Sequence, residues 1–230
     1  MKQTKIVASI SDRRCSEDFI RQLFDAGMNV IRMNTAHATP EGIKEIIRNV
    51  RKVSRHIGIL IDTKGPEVRT TACKQPITYK TGDVVKIFGR PEMDSEHDIV
   101  NLSYVNFADD VHEGDQILFD DGALAMKVIG INGPAVIAQV QNDGVLGSRK
   151  SVNVPGVHID LPALTEKDVQ NINLAIDEDI DFIAHSFVRN AADVNAVQQL
   201  LDARGSDIKI ISKIENQEGV DNIDEILEAA

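Results

Sequence analysis

The chain has 230 residues, of which 42% are apolar and 27% are charged, so it can bury a core over one or two domains and is not a disordered tail. The net charge of −11 argues against nucleic-acid binding and against anionic membrane surfaces as a partner. Seven Phe, two Tyr and no Trp are too few for a base-stacking platform, although a local basic site can still bind an anionic substrate.

The first region, residues 1–69, alternates strand and helix patterns. Short apolar runs predict strands over residues 5–10, 29–33 and 57–62, and the first of them, apolar on both faces, is expected to be buried. Ser16 and Thr39 are predicted helix caps, and Pro40 takes the first helical position. This βαβαβ order predicts parallel strands.

The second region, residues 70–159, changes character. It has no convincing helical periodicity, and turn signals recur between short β-branched runs, at residues 81–83, 113–115, 132–133 and 142–144. This pattern predicts a small antiparallel β-barrel or sandwich inserted into the α/β scaffold.

The third region, residues 160–230, returns to alternation. Helices are predicted from Thr165, with Asp168 three residues on, and from Asn190, and a last one over residues 220–230; strands are predicted over 181–184 and 208–212. Without the insert, the length allows roughly five βα units, and a closed barrel needs eight. Either the sheet is open or the chain forms part of a barrel.

Polar side chains collect where the predicted strands end. They are the cations Arg32, Arg69, Arg189 and Lys213, the carboxylates Asp62, Glu67 and Glu215, and the neighbouring Asn34 and His37. The carboxyl ends of parallel strands meet at one rim, so these side chains suit phosphoryl transfer assisted by Mg²⁺. The alternative is a set of separate surface ion pairs, with Asp62 capping a turn and Gly65 to Pro66 serving as a hinge.

Cysteine usage and the lengths of the apolar runs predict a cytoplasmic protein. Cys15 and Cys73 cannot build a disulfide framework or a four-cysteine zinc site, which favours a reducing compartment. Met1 to Thr4 runs straight into a strand instead of a leader peptide, and no apolar run is long enough to span a membrane.

Two long segments, residues 62–70 (DTKGPEVRT) and 211–219 (ISKIENQEG), closely resemble the pyruvate kinase family. Shorter matches follow the family's order and spacing at residues 27–34, 120–122, 152–156, 161–168 and 186–189. The resemblance implies an α/β fold, a partial (β/α)₈ TIM barrel with an inserted all-β lid domain after its third strand. The implied domains are residues 1–69, 70–159 and 160–230, with the third completing the first.

The resemblance also implies a reaction, phosphoenolpyruvate plus ADP to pyruvate plus ATP in glycolysis, with Mg²⁺ and K⁺. Lys213 resembles the lysine that steadies the transferring phosphoryl group, and Arg32 resembles the phosphate-binding arginine. Glu215 resembles one of two Mg²⁺ carboxylates. The implied K⁺ ligands are Asn34, Asp62 and Thr63, and Glu67 indicates the K⁺-dependent type.

Further residues are implied on the substrate and nucleotide side. They are Arg69, Lys150, Asp121, Ser186 and Arg189, of which Lys150 and Asp121 stand in the lid domain. Closure of such a lid would exclude water from phosphoryl transfer.

The chain departs from the family at three places. The Gly-Pro after the first strand is Ser11-Asp12, and a serine that helps to bind K⁺ is Ala36, so we expect weaker K⁺ affinity. His185 stands where the family has a small residue, and we expect it to crowd the pocket.

The chain stops at Ala230, before the sixth strand that the resemblance implies. We therefore expect an incomplete active site that lacks the second Mg²⁺ carboxylate, and little or no activity from the isolated chain. Two open strand edges would favour a homo-oligomer or a complementing chain as a partner. The alternative is a degenerate, non-catalytic paralogue that binds nucleotide, phosphoenolpyruvate or an intact subunit; a lyase of the same substrate class fits the 62–70 segment and the insert less well.

Overall fold

The computed structural model describes residues 4–35 and 38–230, so the predictions for Ala36 and His37 lie outside the described residues. The chain divides into two compact units. The first, called the barrel unit, comprises the described residues up to Pro66 together with 162–215 and 219–230. The second, called the β unit, comprises residues 67–161 and 216–218. The three predicted domain limits stay a prediction.

The secondary structure is given in chain order. The strands are β1 (Val7–Ile10), β2 (Val30–Asn34), β3 (Gly58–Asp62), β4 (Val68–Arg69), β5 (Ile77–Tyr79), β6 (Val84–Gly89), β7 (Ile99–Leu102), β8 (Gln116–Phe119), β9 (Leu124–Asn132), β10 (Ala135–Val140), β11 (Gly144–Leu146), β12 (Ser151–Asn153), β13 (Phe182–His185) and β14 (Lys209–Ser212). The helices are a 3-10 turn (Asp12–Arg14), α1 (Glu17–Asp25), α2 (Pro40–Val53), α3 (Phe107–Asp110), α4 (Glu166–Asp177), α5 (Ala191–Asp202), α6 (Gln217–Asp221) and α7 (Ile223–Ala229).

The barrel unit is built on one parallel sheet. Five strands lie in the order β1-β2-β3-β13-β14, and each described pair in this sheet is parallel. The α/β class and the partial barrel are thereby confirmed. Asn34 pairs with Asp62 and His185 with Ser212, so the carboxyl ends of neighbouring strands lie level at one rim.

Side-chain caps and apolar stripes explain the first helices. Ser16 Oγ accepts from Phe19 N at 3.4 Å, and Thr39 Oγ1 accepts from Gly42 N at 3.1 Å, as expected for N-cap residues. The inner stripe of α2 is buried in a core rich in isoleucine. This burial of branched apolar side chains against the sheet is the main favourable term for the unit.

Three expectations for the elements are wrong. β1 is not buried: Val7 is 52% exposed because β1 lies at the edge of the described sheet. The predicted last helix is two helices that break at Asn222, whose side chain donates to the Arg189 carbonyl at 3.0 Å instead of following the helix surface. The inserted region contains one short helix, α3.

The β unit has its own core. A seven-stranded sheet in the order β4-β12-β8-β9-β10-β6-β7 is joined by the two-stranded pair β11-β5, and the pairs are antiparallel except that β6 and β7 are parallel. Tyr79, Phe107 and Phe119 are fully buried in it. In the part of the chain that the structure describes, no helix is long and apolar enough to cross a membrane.

Candidate functional site

The carboxyl rim of the parallel sheet gathers charged side chains around Asp62, the last residue of β3. The Asp62 side chain is only 3% exposed. Its Oδ2 accepts from Arg32 Nε at 2.6 Å, and its Oδ1 lies 3.2 Å from Lys213 Nζ. One buried carboxylate thus bridges two cations from different strands, and such charge-assisted hydrogen bonds are stronger and more directional than neutral ones.

Lys213, immediately after β14, is held by three oxygen atoms. Its ammonium lies 2.9 Å from Ser186 Oγ, 3.2 Å from Asp62 Oδ1 and 3.2 Å from Glu215 Oε1. An ammonium has three N–H donors, so this set accounts for all of them. The side chain is 29% exposed, which leaves the cation accessible from the rim.

Ser186 and Thr63 lock the loops after β13 and β3 together. Ser186 N donates to Thr63 Oγ1 at 3.1 Å, and Ser186 Oγ lies 2.7 Å from the Thr63 carbonyl oxygen. Gly65 presses against the same loop with φ +68°, and a Cβ built on it would lie 2.5 Å from the Ser186 carbonyl oxygen. Only glycine fits there, because both the backbone conformation and the contact exclude a side chain.

Glu215 is oriented by a strained residue. Phe187 has φ +57°, in the left-handed region that a bulky side chain rarely adopts, and its N–H donates to Glu215 Oε2 at 3.1 Å. Conformations of this kind cost about 1–3 kcal/mol and cluster at functional sites. One oxygen of Glu215 therefore faces the loop while the other faces Lys213.

His185, the last residue of β13, is fully buried behind this rim. Its Nδ1 lies 3.4 Å from Thr63 Oγ1. Burial lowers the pKa of His185, and the nearby carboxylates Asp193 and Asp168 oppose that shift. The ring is therefore held neutral in the core, and its predicted crowding of the pocket stays a prediction.

Arg189 forms an ion pair at the start of α5. Its guanidinium forms a fork with Asp193 of α5, at 2.9 Å from Nε to Oδ2 and 3.0 Å from the second nitrogen to Oδ1. Both side chains are largely buried. The structure thus places this predicted ligand-binding arginine in a bidentate ion pair.

Asp168 is a site residue that sequence reasoning missed. It forms a capping box with Thr165, the predicted helix start, and its Oδ1 also accepts from Lys64 N at 2.9 Å, in the loop that follows β3. The Thr-x-x-Asp spacing indicates a helix start, but nothing in the neighbouring sequence predicts a hydrogen bond with a residue 104 positions away.

A second group of predicted residues lies together in the β unit. Arg69 Nε is 2.6 Å from Glu67 Oε1, and this hydrogen bond raises the pKa of the arginine. A second guanidinium nitrogen donates to the Arg149 carbonyl at 2.8 Å. The predicted K⁺ determinant and the predicted nucleotide-side arginine are therefore partners.

Lys150 and Asp121 lie near that pair, on neighbouring strand ends. Lys150 Nζ is 2.9 Å from Asp120 Oδ2, and Ser151 Oγ donates to Asp121 Oδ1 at 3.1 Å. Asp120, Asp121 and Arg149 all have positive φ, at 52°, 55° and 57°. Three of the left-handed non-glycine residues thus lie at one end of the β unit.

Within residues 4–35 and 38–230, no cluster of three or more His, Cys, Asp or Glu side chains could hold a metal ion by itself.

Comparison with known proteins gives a consistent result. The family model described as "Pyruvate kinase, barrel domain" matches residues 1–230. The chain is 50% identical over 230 residues to a pyruvate kinase from Borreliella burgdorferi, covering 100% of this chain and 48% of that protein. Pyruvate kinases from Sporosarcina psychrophila and Staphylococcus saprophyticus are 43% and 44% identical over 99% and 100% of this chain, which covers 40% of each. The chain thus spans less than half the length of these relatives.

Proposed function

The chain belongs to the pyruvate kinase family, and from that premise we propose that it carries part of a glycolytic phosphotransferase that converts phosphoenolpyruvate and ADP to pyruvate and ATP. The barrel unit supplies the groups for the phosphorylated three-carbon acid. The β unit supplies Arg69, Lys150 and Asp121 for the nucleotide. These assignments rest on the family and on the geometry of each unit taken separately.

One observation carries the proposal: a single buried carboxylate, Asp62, fixes both Arg32 and Lys213 at the same rim. A transferring phosphoryl group spreads negative charge over its oxygens, and cations fixed in advance stabilise that charge without reorganisation. Arg32 is 36% exposed and Lys213 is 29% exposed, so a ligand can reach both.

Lys213 is the group we assign to the phosphoryl oxygen. Hydrogen bonds to Asp62 and Ser186 and an ion pair with Glu215 orient the ammonium, and Glu215 is the most exposed of these partners, at 34%. When Glu215 accepts another cation, Lys213 can turn one N–H to the substrate while Asp62 and Ser186 still hold the other two. The lysine then acts as a positioned electrostatic catalyst.

The residues present fit the two proposed metal ions in donor type. Glu215 is a hard oxygen ligand at the open side of the rim, and a carboxylate that shares Mg²⁺ with substrate oxygens is a common arrangement. For K⁺, Asn34 and Asp62 are direct partners in strand register, and Thr63 follows Asp62. Mg²⁺, when bound, would neutralise charge on the phosphoryl oxygens.

Ser186 and Arg189 have supporting roles in this proposal. Ser186 holds the Lys213 ammonium, and Arg189 fixes the start of α5 through Asp193. Glu67 acts through Arg69, to which it is bound. The partners proposed for the chain are phosphoenolpyruvate and ADP, and a second copy or a complementing chain that covers the sheet edges.

The test is a coupled assay of pyruvate formation by the 230-residue chain, with calorimetric binding of phosphoenolpyruvate as a second measurement. Because little or no turnover is expected from the chain alone, the decisive comparison is phosphoenolpyruvate binding, which Lys213→Met should weaken. Any turnover of the wild type should fall about 100-fold or more in this variant, as removal of one transition-state donor does elsewhere. Lys209→Met, on the same strand but exposed at its other end, is the matched control and should leave turnover unchanged.

A second candidate, a binding-only paralogue, is favoured by the substitutions Ser11 and Asp12, where a 3-10 turn follows β1. Saturable phosphoenolpyruvate binding that requires Lys213, without turnover, would support this candidate. Absence of both turnover and binding would refute both functions for this chain.

A further inference from the structure

The backbone of Lys150 is fixed on both sides. Its N–H donates to Thr70 Oγ1 at 2.9 Å, and its carbonyl accepts from Thr70 N at 2.9 Å. The stem of the side chain passes close to Gly147, where a Cβ would lie 3.1 Å from Lys150 Cε. The backbone of Lys150 is therefore held in place, and the side chain runs past Gly147 before its ammonium reaches a partner.

The partner it has is Asp120. The Lys150 Nζ to Asp120 Oδ2 distance is 2.9 Å. Asp120 is itself fixed, because its N–H donates to the Ser151 carbonyl at 3.0 Å across the pairing of β8 with β12. Backbone hydrogen bonds to neighbouring chain segments thus hold both members of the ion pair in place.

Both members of this pair are accessible. The Lys150 side chain is 38% exposed and that of Asp120 is 37% exposed. Ion pairs in contact with water contribute little, so an anion of higher charge can take the lysine away from the carboxylate. The adjoining Asp121 adds a second negative charge at the same turn.

We propose that Asp120 is a built-in competitor of the nucleotide phosphates: it holds Lys150 in the ligand-free protein and must release it before a nucleoside diphosphate can bind. The proposal rests on the nucleotide role proposed above for Lys150. It explains why Asp120, next to the predicted nucleotide-side residue Asp121, places its carboxylate against Lys150, the cation proposed to bind the phosphates. The Asp120 carboxylate thereby lowers the affinity of the protein for the nucleotide.

The experiment is titration of the 230-residue chain with ADP, without divalent cations and at fixed ionic strength, by calorimetry. Asp120→Asn removes the charge and keeps the shape, and asparagine tolerates the left-handed backbone at φ 52°. It should bind ADP about two- to fivefold more tightly, the range expected for loss of an exposed ion pair. Asp120→Gly, which also tolerates this backbone, is a second variant should the first fail to fold.

Two controls isolate the pair from general charge effects. Asp98→Asn removes the same charge at a side chain that is 88% exposed and paired with His97, and it should not tighten ADP binding. In a Lys150→Met background, Asp120→Asn should have no effect on ADP affinity, because the cation for which it competes is gone.

The outcomes separate the competitor from the nucleotide site. If Lys150→Met abolishes ADP binding while Asp120→Asn leaves it unchanged or weakens it, the competitor role is overturned and the proposed function stands. If the wild-type chain does not bind ADP, or if Lys150→Met binds it equally well, the nucleotide role of Lys150 is wrong and the competitor role is overturned with it.

Discussion

The Lys64 amide donates a 2.9 Å hydrogen bond to Oδ1 of Asp168, and this bond ties the loop after β3 to the first turn of α4. The other carboxylate oxygen of Asp168 accepts from Thr165 N at 3.1 Å and from Thr165 Oγ1 at 2.7 Å. Asp168 is fully buried, so its charge is balanced by these donors and by the positive end of the helix dipole. Asp168, a member of the capping box of α4, thus also positions the loop that follows Asp62.

We expect Asp168→Ala to destabilise the barrel unit by about 2–4 kcal/mol, because it removes a cap and leaves a half-buried N–H without an acceptor. Urea unfolding measures the loss. Hydrogen exchange at the Lys64 amide should accelerate as well. Thr165→Ala removes the cap and one donor to Asp168 Oδ2 but leaves the bond from Lys64, so it should cost about 1–2 kcal/mol without changing exchange at Lys64. Equal exchange rates in the two variants would contradict the positioning role.

Gly65→Ala should push apart the loops that follow β3 and β13 at the carboxyl rim of the parallel sheet. The new Cβ meets a backbone oxygen at 2.5 Å, which cannot rotate away, and φ +68° adds strain for any side chain. We expect a loss of more than about 2 kcal/mol in unfolding free energy and weaker binding of phosphoenolpyruvate.

Gly27→Ala is the matched control for that variant. Gly27 has φ +100°, but a Cβ there would have nothing within 4 Å. It therefore carries the backbone strain without the clash, and we expect about 1 kcal/mol of destabilisation with normal substrate binding. If both variants lose the same stability and neither loses binding, the Gly65–Ser186 contact does not shape the site.

The residues that meet at the rim could be predicted because the order of the parallel strands determines which residues lie together there. Asp62 ends β3, Lys213 directly follows β14, and Arg32 lies two residues before the end of β2. Parallel strands in register bring such residues together whatever the intervening sequence. The resemblance to the family assigned roles to these residues, and the order of strands and polar residues in the sequence predicted where they lie. Together they identified the residues that the structure brings into contact.

The partners of those residues could not be predicted. Arg189 follows β13 by four residues, and it pairs with Asp193 of the following helix. The last helix breaks at Asn222, whose side chain donates to the Arg189 carbonyl. Such choices depend on which polar groups become buried after packing, and a pattern of residue types does not contain that information.

Acid should weaken the turn that carries Asp143. Hydrogen bonds from Lys80 and from the backbone and side chain of Thr81 lower the pKa of Asp143 from 3.8 to about 2. Because the folded pKa lies below the unfolded value, this stabilisation is complete above pH 3.8 and disappears as the pH falls toward 2.

Asp143→Asn should therefore be less stable than the wild type at neutral pH, and the difference in denaturant midpoint should shrink below about pH 4. Hydrogen exchange at the Thr81 amide, which donates to Asp143 Oδ1 at 2.9 Å, reports the same turn locally. A difference that stays constant down to the pH where Asp143 is protonated would show that the carboxylate charge is not what stabilises the turn.

Mild acid should weaken the barrel unit through His185. Burial lowers its pKa below 6.5, so below that pH the unfolded chain takes up a proton that the folded chain resists. The free energy of unfolding should then fall as the pH falls, by at most about 1.4 kcal/mol per pH unit for one proton.

His185→Gln replaces the ring with a group that does not titrate, and we expect it to remove this slope. The measurement is the free energy of unfolding in urea between about pH 7.5 and about pH 5.5, the range in which an ordinary histidine gains its proton. A constant loss of stability from imperfect packing would shift the whole curve and leave the slope readable. His112→Gln, at an exposed position, should keep the wild-type slope. A His185→Gln slope as steep as that of the wild type would show that the buried ring is not the group that makes the fold sensitive to mild acid.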